Sequence, residues 1–498
     1  MALTITTQSG DMLAASADAL ILPIYAGEGV GALDGAERFN GQLAPVLESS
    51  GFTGKAGQVV AVPTFGKLTA HTLVLAGLGA RDSDDPNLHG ESLRKAYGGA
   101  VKRARDEGAR TVAAMLPDGA DAEAISAAVE GLTLALYRFT RYKSASNGEP
   151  AKEVGAVELW SSGAVAEDAV AHGQAIAEGV ALARDLVNTI SNDKTPTQIA
   201  EWAQRVARES GLPCEVLDER ALESGGYNSI LAVGKGSASP PRLIEMVYEP
   251  RSGGATKTIA LVGKTITFDS GGLDLKTQDG MYAMKTDMGG GAAVLGAMRA
   301  IALVKPNVRV IGILTAAENM PSGTAMRPSD VVTALNGKTF EIGNTDAEGR
   351  MVLADAVTHA ARAGADEIID LATLTGAKMV ALGSVAVAVM GNDEGLISRF
   401  LMAAGNAGER VWQLPMWEEY REQLKSDIAD LKSTGGRGGG AITAGMFIGE
   451  FVEGKPWIHL DIAGSAATDR DSAYTPKGAT GVMVRSLVRY VEEAGANT

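Results

Sequence analysis

The chain has 498 residues, of which 45% are hydrophobic and 21% are charged, a balance typical of proteins that bury a large core. This composition excludes a predominantly disordered protein. The 60 acidic residues outnumber the 45 basic ones and give a formal net charge of −15, which argues against nucleic acid as the main partner. The length allows two or three domains.

Residues 1–165 alternate apolar runs of strand length with helical stretches, which predicts an N-terminal α/β domain. An alanine-rich stretch then predicts a long connecting helix, residues 166–190, which opens a C-terminal domain of residues 166–498. The expected N-terminal strands are 19–23, 58–63, 72–76, 111–116 and 155–159, and the expected helices are 90–107 and 121–141.

The C-terminal part is also α/β and is richer in glycine. Its predicted elements are a strand at 258–263, a helix at 288–303, a hairpin centred on Asn336-Gly337, a helix at 351–363 and a strand at 367–374. The single cysteine, Cys214, excludes an intramolecular disulfide and favours a cytoplasmic location. The first basic residue is Arg38 and no stretch is typical of a membrane span, so we expect a soluble protein with no membrane partner.

Charged residues follow the predicted strands of the C-terminal part and border its glycine-rich turns. They comprise four acids and three bases: Lys264, Asp269, Lys276, Asp287, Asp346, Glu348 and Arg350. Because ligands in α/β proteins bind at the carboxyl ends of strands, we expect Lys264, directly after the 258–263 strand, to lie at such an edge. The segment Asp346-Ala347-Glu348, if extended, presents both acids on one side.

Four converging carboxylates repel one another unless cations neutralise them. Two divalent ions about 3.5–4 Å apart would do so, and they need bridging carboxylates. The oxygen-rich ligand set suits Mn²⁺ or Mg²⁺, and Zn²⁺ also accepts carboxylate plus a nitrogen. Lys264, beside two cations, could lose its proton and offer that nitrogen as a neutral amine.

Three of the segments that carry these charges resemble the leucyl aminopeptidase (cytosol aminopeptidase) family of dimetal exopeptidases. They are NTDAEGR, GKTITFDSGGLDLK and MKTDMGGGAAVLGAM, and the first is highly specific. Further similar segments are ARDLVNT, DLATLTGA, GGAITAGMF, HLDIAG and YTPKGATG, so the resemblance runs from about residue 183 to the C-terminus. It implies a larger C-terminal catalytic domain whose central mixed sheet is sandwiched by helices, and a hexamer.

The resemblance also implies roles for individual residues. The metal ligands would be Lys264, Asp269, Asp287, Asp346 and Glu348, the catalytic residues Lys276 and Arg350, and the substrate-pocket residues Met284, Thr373, Leu374, Gly376, Ala463 and Ala466. Two Mn²⁺ or Zn²⁺ ions per subunit, and a bicarbonate ion at Arg350, would complete the site. A bridging water would attack the scissile carbonyl of a peptide and release its N-terminal residue.

One departure from the family pattern bears on substrate choice. Family members often carry Met or Trp at the position of Ala466 or Ala467, so we expect a roomier pocket that accepts leucine and other bulky apolar first residues. Two alternative functions stay open on the residues alone. One is a two-metal phosphoesterase, although none of the five histidines forms a metal-binding pair. The other is a DNA-binding architectural or regulatory role through the basic stretch 94–105, against which the net charge weighs.

Overall fold

A computed structural model describes residues 3–28, 36–39, 41–81, 86–144, 152–250 and 257–496. The chain divides into two compact units, Met1–Ala177 with Asp469–Lys477, and Glu178–Thr468 with Gly478–Thr498. The division falls inside a helix, Glu167–Asn188, in the stretch where the sequence predicts one. The predicted domain boundary at residues 165/166 stays a prediction.

The first unit contains a six-stranded sheet in the order β1-β6-β5-β2-β4-β3, parallel except for the antiparallel pair β3 and β4. Its strands are β1 Thr4–Ser9, β2 Ala19–Tyr25, β3 Val59–Pro63, β4 Thr72–Gly79, β5 Thr111–Met115 and β6 Ala156–Ser161. Its helices are α1 Leu43–Ser50, α2 Pro86–Asp106 and α3 Ala122–Ala135, and α4 is Glu167–Asn188. The predicted α/β alternation is confirmed.

The second unit contains an eight-stranded mixed sheet in the order β15-β14-β17-β13-β9-β10-β8-β7. Its strands are β7 Cys214–Leu217, β8 Arg242–Tyr248, β9 Thr258–Asp269, β10 Arg309–Asn319, β13 Glu367–Ala372, β14 Val387–Gly391, β15 Val411–Gln413 and β17 Trp457–Asp461. The four central strands β17, β13, β9 and β10 are mutually parallel. Smaller sheets comprise β11 Val331–Thr333, β12 Thr339–Glu341 and β16 Leu431–Lys432, and the pair β18 Ala467–Thr468 and β19 Gly478–Ala479.

Helices cover this sheet, as the family resemblance implies. They are α5 Pro196–Ser210, α6 Glu219–Gly225, α7 Asn228–Gly234, α8 Gln278–Tyr282, α9 Gly289–Val304, α10 Glu348–Arg362, α11 Gly376–Leu382, α12 Glu394–Asn406, α13 Gly440–Gly449 and α14 Val484–Ala496. Helix α9 contacts α5 and α14, whereas α10 contacts α7 and α13, and both pack on β9 and β10. Successive side chains of a strand point to opposite faces of its sheet. Ala260 and Val262, which alternate along β9, belong to the same core cluster as the buried residues of α10. The helices around α10 therefore cover one face of the sheet, and those around α9 cover the other.

The segment 284–304, which includes α9, is long and apolar enough to cross a membrane by length and composition, but 78% of its most apolar window is buried inside the protein. Its N-terminal glycines explain that burial. A Cβ on Gly290 would lie 2.1 Å from the carbonyl oxygen of Leu371, and one on Gly291 would lie 2.0 Å from Oγ1 of Thr265. The helix therefore packs directly on the backbone of β9 and β13, as a core helix does.

Candidate metal centre

Strand β9 is longer than predicted, and this places the first two charged residues of the site. The sequence predicts that Lys264 follows a strand ending at residue 263, but β9 continues to Asp269 and Lys264 lies inside it. The prediction was wrong because the polar residues of the segment TITFD are buried at a sheet centre, where polarity does not end a strand. Asp269, at the carboxyl end of β9, lies beside Asn319 at the end of β10.

The carboxylates of Asp269, Asp346 and Glu348 converge, each offering an oxygen within 4.8 Å of the others. Asp346 lies in a 3-10 turn, Thr345–Ala347, and Glu348 is the first residue of α10. The expected extended segment is therefore wrong: a turn and a helix start, not a strand, bring the two acids together. Among the described residues, no other group of three His, Cys, Asp or Glu side chains meets this criterion.

Two lysines lie between these acids. The Nζ atom of Lys264 lies 2.8 Å from Oδ2 of Asp287 and 2.8 Å from Oε1 of Glu348, and it donates to the backbone carbonyl of Thr373. The Nζ atom of Lys276 lies 2.8 Å from Oδ2 of Asp269 and also pairs with Asp346. Four carboxylates thus face two ammonium groups, and the cluster keeps an excess of negative charge.

The pKa values of the cluster reflect that excess. Burial, together with Asp269, raises the pKa of Glu348 to about 8 and that of Asp287 to about 6. Although burial opposes the charge on Lys264, Asp287 and Glu348 raise its pKa above the ordinary value. Buried acids with raised pKa values that share a site are typical of functional sites, and a bound cation would favour their charged forms.

The donor set fits divalent cations. The Oε1 atom of Glu348 pairs with Lys264, but its Oε2 atom is buried without a hydrogen-bond partner. Oε2 is therefore available as a metal ligand. The five predicted ligands, Lys264, Asp269, Asp287, Asp346 and Glu348, are together in this cluster. Four carboxylates and an amine suit Mn²⁺ or Zn²⁺ and leave no sulfur ligand for softer metals.

Side chains that the sequence reasoning missed orient these acids. Asn319 donates from Nδ2 to Oδ1 of Asp269 and to the carbonyl oxygen of Thr345, at 2.8 and 3.1 Å. Thr373 donates from Oγ1 to Oδ1 of Asp287 at 2.6 Å. The position of Asn319 at the end of a parallel strand next to β9 is a signal that could have identified it.

Arg350 is buried in the first turn of α10, because the helix begins at Glu348 and not, as the sequence predicts, at Met351. Its Nη1 atom donates to the carbonyl oxygen of Ser433 at 2.9 Å, and its Nε atom is buried without a hydrogen-bond partner. Burial lowers the pKa of its guanidinium to about 10, so the group is cationic at neutral pH. A buried cation with a free donor at a helix start is suited to an anion.

Most of the predicted pocket residues lie just after β13 and β17, and Met284 lies before α9. A Cβ on Gly289 would lie 3.0 Å from Cβ of Ala466 and 3.4 Å from Cγ2 of Thr373, so these two side chains converge beside the start of α9. A Cβ on Gly376 would meet nothing within 4 Å, which indicates open space at that wall. The remaining predicted positions are Met284 in a 3-10 turn before Asp287, Leu374 packed against the α10 core cluster, and Ala463 after β17.

The basic stretch 94–105 and the histidines His359 and His459 make their contacts with residues outside the carboxylate cluster. Basic side chains of the stretch 94–105 pair with neighbours: Arg94 with Glu130, Lys95 with Glu91, Arg103 with Glu107, Arg105 with Asp106, and Lys102 with the carbonyl oxygen of Ser472. Four of these five basic side chains thus have an acidic partner, which reduces the positive charge that the stretch offers to DNA phosphates. His359 contacts Glu245 and Tyr227, and His459 contacts Asp370.

Comparisons with known proteins give matches over most of the chain. Residues 181–488 match the model of the cytosol aminopeptidase family catalytic domain, and residues 21–146 match that of the family's N-terminal domain. Curated relatives named "Probable cytosol aminopeptidase" include one from Alkaliphilus oremlandii, 43% identical over 96% of both chains, and one from Aquifex aeolicus, 44% identical over 91% of this chain and 90% of the relative.

Two solved structures share the fold over nearly the whole chain. The bottromycin maturation enzyme BotP in complex with Mn is 37% identical, with a TM-score of 0.85, over 97% of this chain and 100% of the other. A mutant of tomato leucine aminopeptidase is 33% identical, with a TM-score of 0.88, over 99% of this chain and 96% of the other.

Proposed function

This chain belongs to the cytosol aminopeptidase family and is a metal-dependent aminopeptidase, and on that basis we propose that it preferentially removes leucine and other bulky apolar residues from the N-termini of peptides. The observation that carries the proposal is the convergence of the Asp269, Asp346 and Glu348 carboxylates around the buried Lys264 and the partly buried Lys276. The alternative of a phosphoesterase loses its support, since the family of the chain is a peptidase family.

We propose that two divalent ions, Mn²⁺ or Zn²⁺, are held by Lys264, Asp269, Asp287, Asp346 and Glu348. The partly unpaired carboxylates support this ligand set, and the Mn in the BotP structure favours manganese as one choice. When bound, such ions supply Lewis acidity and lower the pKa of an attacking water. The free amino group of a peptide is a ligand for such an ion, which accounts for removal of the N-terminal residue only.

Lys276 is the proposed electrostatic catalyst. It is about five-sixths buried, and its ammonium lies at the open side of the carboxylate cluster, next to Asp269 and Asp346. From there it would donate charge-assisted hydrogen bonds to the carbonyl oxygen as negative charge develops on it. Asp269 and Asp346, aided by the charge of Glu348, keep Lys276 protonated by raising its pKa despite the opposing effect of burial.

Arg350 is the proposed binding residue for a bicarbonate ion, which would supply a general base. The buried Nε atom without a partner supports an anion at this position, and the first turn of α10 adds the favourable end of a helix dipole. The hydrogen bond from Nη1 to the carbonyl oxygen of Ser433 holds the guanidinium in place.

The proposed preference for bulky apolar first residues is supported by the small side chains at Ala463 and Ala466. A Cβ on Gly376 would meet nothing within 4 Å, which supports open space beside it. Comparison of kcat/KM for Leu-, Met-, Phe- and Ala-p-nitroanilides measures the preference directly. A strict preference for alanine would contradict this pocket.

We also propose that the active form is a cytosolic homohexamer. The family resemblance and the cytosol aminopeptidase descriptions of the relatives support it. Sedimentation equilibrium tests the assembly: a particle mass near 51.3 kDa, that of one chain, would refute it.

The test of the activity is hydrolysis of Leu-p-nitroanilide before and after chelation, with Mn²⁺ and Zn²⁺ restored separately. We expect chelation to abolish hydrolysis and at least one ion to restore it. N-acetyl-Leu-p-nitroanilide is the matched control, since its blocked amine cannot bind as a free N-terminus. Equal rates on the blocked and free substrates, or none on either with both metals, would contradict the proposal.

A further inference from the structure

Lys378 is a buried lysine whose ammonium has no carboxylate among its hydrogen-bond acceptors. Its side chain is fully buried in α11, and Nζ donates to the carbonyl oxygen of Ala463 at 2.8 Å, to Oγ of Ser465 at 2.9 Å and to the carbonyl oxygen of Gly383 at 3.0 Å. An ammonium has three donors, and all three are used here. Such burial is costly and persists only where the surrounding groups are arranged to accept the charge.

Two of the three acceptors of Lys378, on Ala463 and Ser465, belong to the loop after β17 that carries the proposed pocket residues, and the third, on Gly383, follows α11. The backbone of Ala463 is held on both sides, because its N–H donates to Oδ1 of Asp461 at 3.0 Å and its carbonyl oxygen accepts from Lys378. Ser465 is likewise held, since its Oγ donates to the carbonyl oxygen of Ser384 and its own carbonyl oxygen accepts from Oγ1 of Thr480.

The same contacts join this loop to the one after β13. Asp461, which holds Ala463, also accepts from N of Leu374 at 3.2 Å and from Oγ1 of Thr375 at 2.6 Å. The Oγ1 atom of Thr375 accepts in turn from the backbone N–H of Lys378. Asp461, at the end of β17, and Lys378, in α11, thus hold the loop after β13 and the loop after β17 against each other.

We propose that Lys378 is a positioning residue that determines first-residue specificity by fixing the Ala463–Ala466 wall of the pocket. The inference rests on the proposed function, because it concerns the pocket of that same site. Lys378 contacts none of the carboxylates of the metal centre in the structure, and its side chain reaches the pocket through backbone and hydroxyl groups only. Its removal therefore changes how well side chains are distinguished and leaves metal binding in place.

The test measures kcat and KM for Leu- and Ala-p-nitroanilides with the Mn²⁺-loaded full-length protein. A single methylene more or less in an apolar pocket is worth roughly 10–200-fold in kcat/KM. In K378M, which replaces the ammonium by an apolar group of similar length, we expect the leucine-to-alanine ratio of kcat/KM to fall at least about fivefold, mainly through KM for leucine. Mn²⁺ affinity is expected to stay within about twofold of wild type, since no metal ligand is altered.

Two variants keep the result interpretable. K425M removes a lysine charge from an exposed position paired with Glu422 and should leave the ratio unchanged. S465A removes one of the three acceptors and should lower the ratio less than K378M does, and it decides the question if K378M does not fold. A ratio within about twofold of wild type in a folded K378M, or in S465A if K378M does not fold, overturns the inference while the aminopeptidase activity stands. A wild-type protein inactive on both substrates with Mn²⁺ or Zn²⁺ instead overturns the proposed function, and this inference with it.

Discussion

The Nζ atom of Lys264 lies 2.8 Å from Oε1 of Glu348, and a Cβ on the next residue, Gly349, would lie 2.7 Å from that same Nζ. The glycine is therefore what lets the lysine of β9 reach the first turn of α10. Lys264 cannot move aside easily, because it also contacts Asp287 and the carbonyl oxygen of Thr373. Glycine is needed at position 349 because Lys264 packs directly against the backbone there, and not because the backbone must be flexible.

We predict that G349A lowers kcat/KM by at least about 100-fold, because displacement of Lys264 disturbs a ligand set held to within about 0.5 Å. Stability should also fall, by about 1–3 kcal/mol, because the added Cβ overpacks against the buried Lys264 side chain and this outweighs the helix preference of alanine. The measurement is Leu-p-nitroanilide hydrolysis together with the thermal unfolding midpoint. G323A is the control, because a Cβ on Gly323 would meet nothing within 4 Å. Wild-type activity in G349A would contradict the assigned role of the close contact.

Asn319 is predicted to tune metal affinity through Asp269. Its Nδ2 atom donates to Oδ1 of Asp269 at 2.8 Å, so N319A removes the group that orients this proposed ligand. Loss of a hydrogen bond that orients a metal ligand typically lowers metal affinity by about 10–100-fold. We expect a decrease in Mn²⁺ affinity within that range, measured by calorimetry. N406A is the matched control, since Asn406 bonds to Glu493 on α14. Equal affinities in N319A and wild type would refute the prediction.

Cys214 is predicted to be unreactive at neutral pH. Burial raises the pKa of its thiol to about 11, and the raised value means that the protonated, unreactive form persists up to that pH. Alkylation by iodoacetamide at pH 8 should be on the order of 100-fold slower in the folded protein than in guanidinium chloride, where the pKa returns to about 8.5. The folded rate should keep rising between pH 8 and 10. A plateau above pH 9 would contradict the prediction.

Asp355 is predicted to be a major contributor to stability. Its buried carboxylate accepts backbone N–H groups from Ser229, Ile230 and Leu335 at 2.8, 3.1 and 2.8 Å, and so ties α7 and the hairpin loop to α10. In D355N the amide group turns its own donors toward these N–H groups and leaves at least one of them unsatisfied.

For D355N we expect a loss of about 2–4 kcal/mol in the free energy of unfolding, measured by urea denaturation. D427N, at an exposed aspartate, is the control and should change stability by less than about 0.5 kcal/mol. A loss below about 1 kcal/mol in D355N would mean that the three hydrogen bonds contribute little.

The sequence by itself determined the fold class and the family, and it named the residues of the candidate site. Periodicity located the alternating strands and helices, and NTDAEGR with its companion segments identified the family, because a motif of consecutive residues can be recognised without coordinates. The family resemblance named Lys264, Asp269, Asp287, Asp346 and Glu348 as ligands without coordinates, and this assignment stays a prediction.

Only the tertiary structure decided how those residues meet. The length of β9, the turn at Asp346 and the start of α10 at Glu348 depend on burial from distant segments, so local polarity predicted them wrongly. The partners Asn319 and Lys378 were missed as functional residues for the same reason: their acceptors, Asp269 and Ala463, lie 50 and 85 positions away along the chain. Hydrogen bonds over such separations form only once the parallel strands have brought their carboxyl ends to one edge of the sheet.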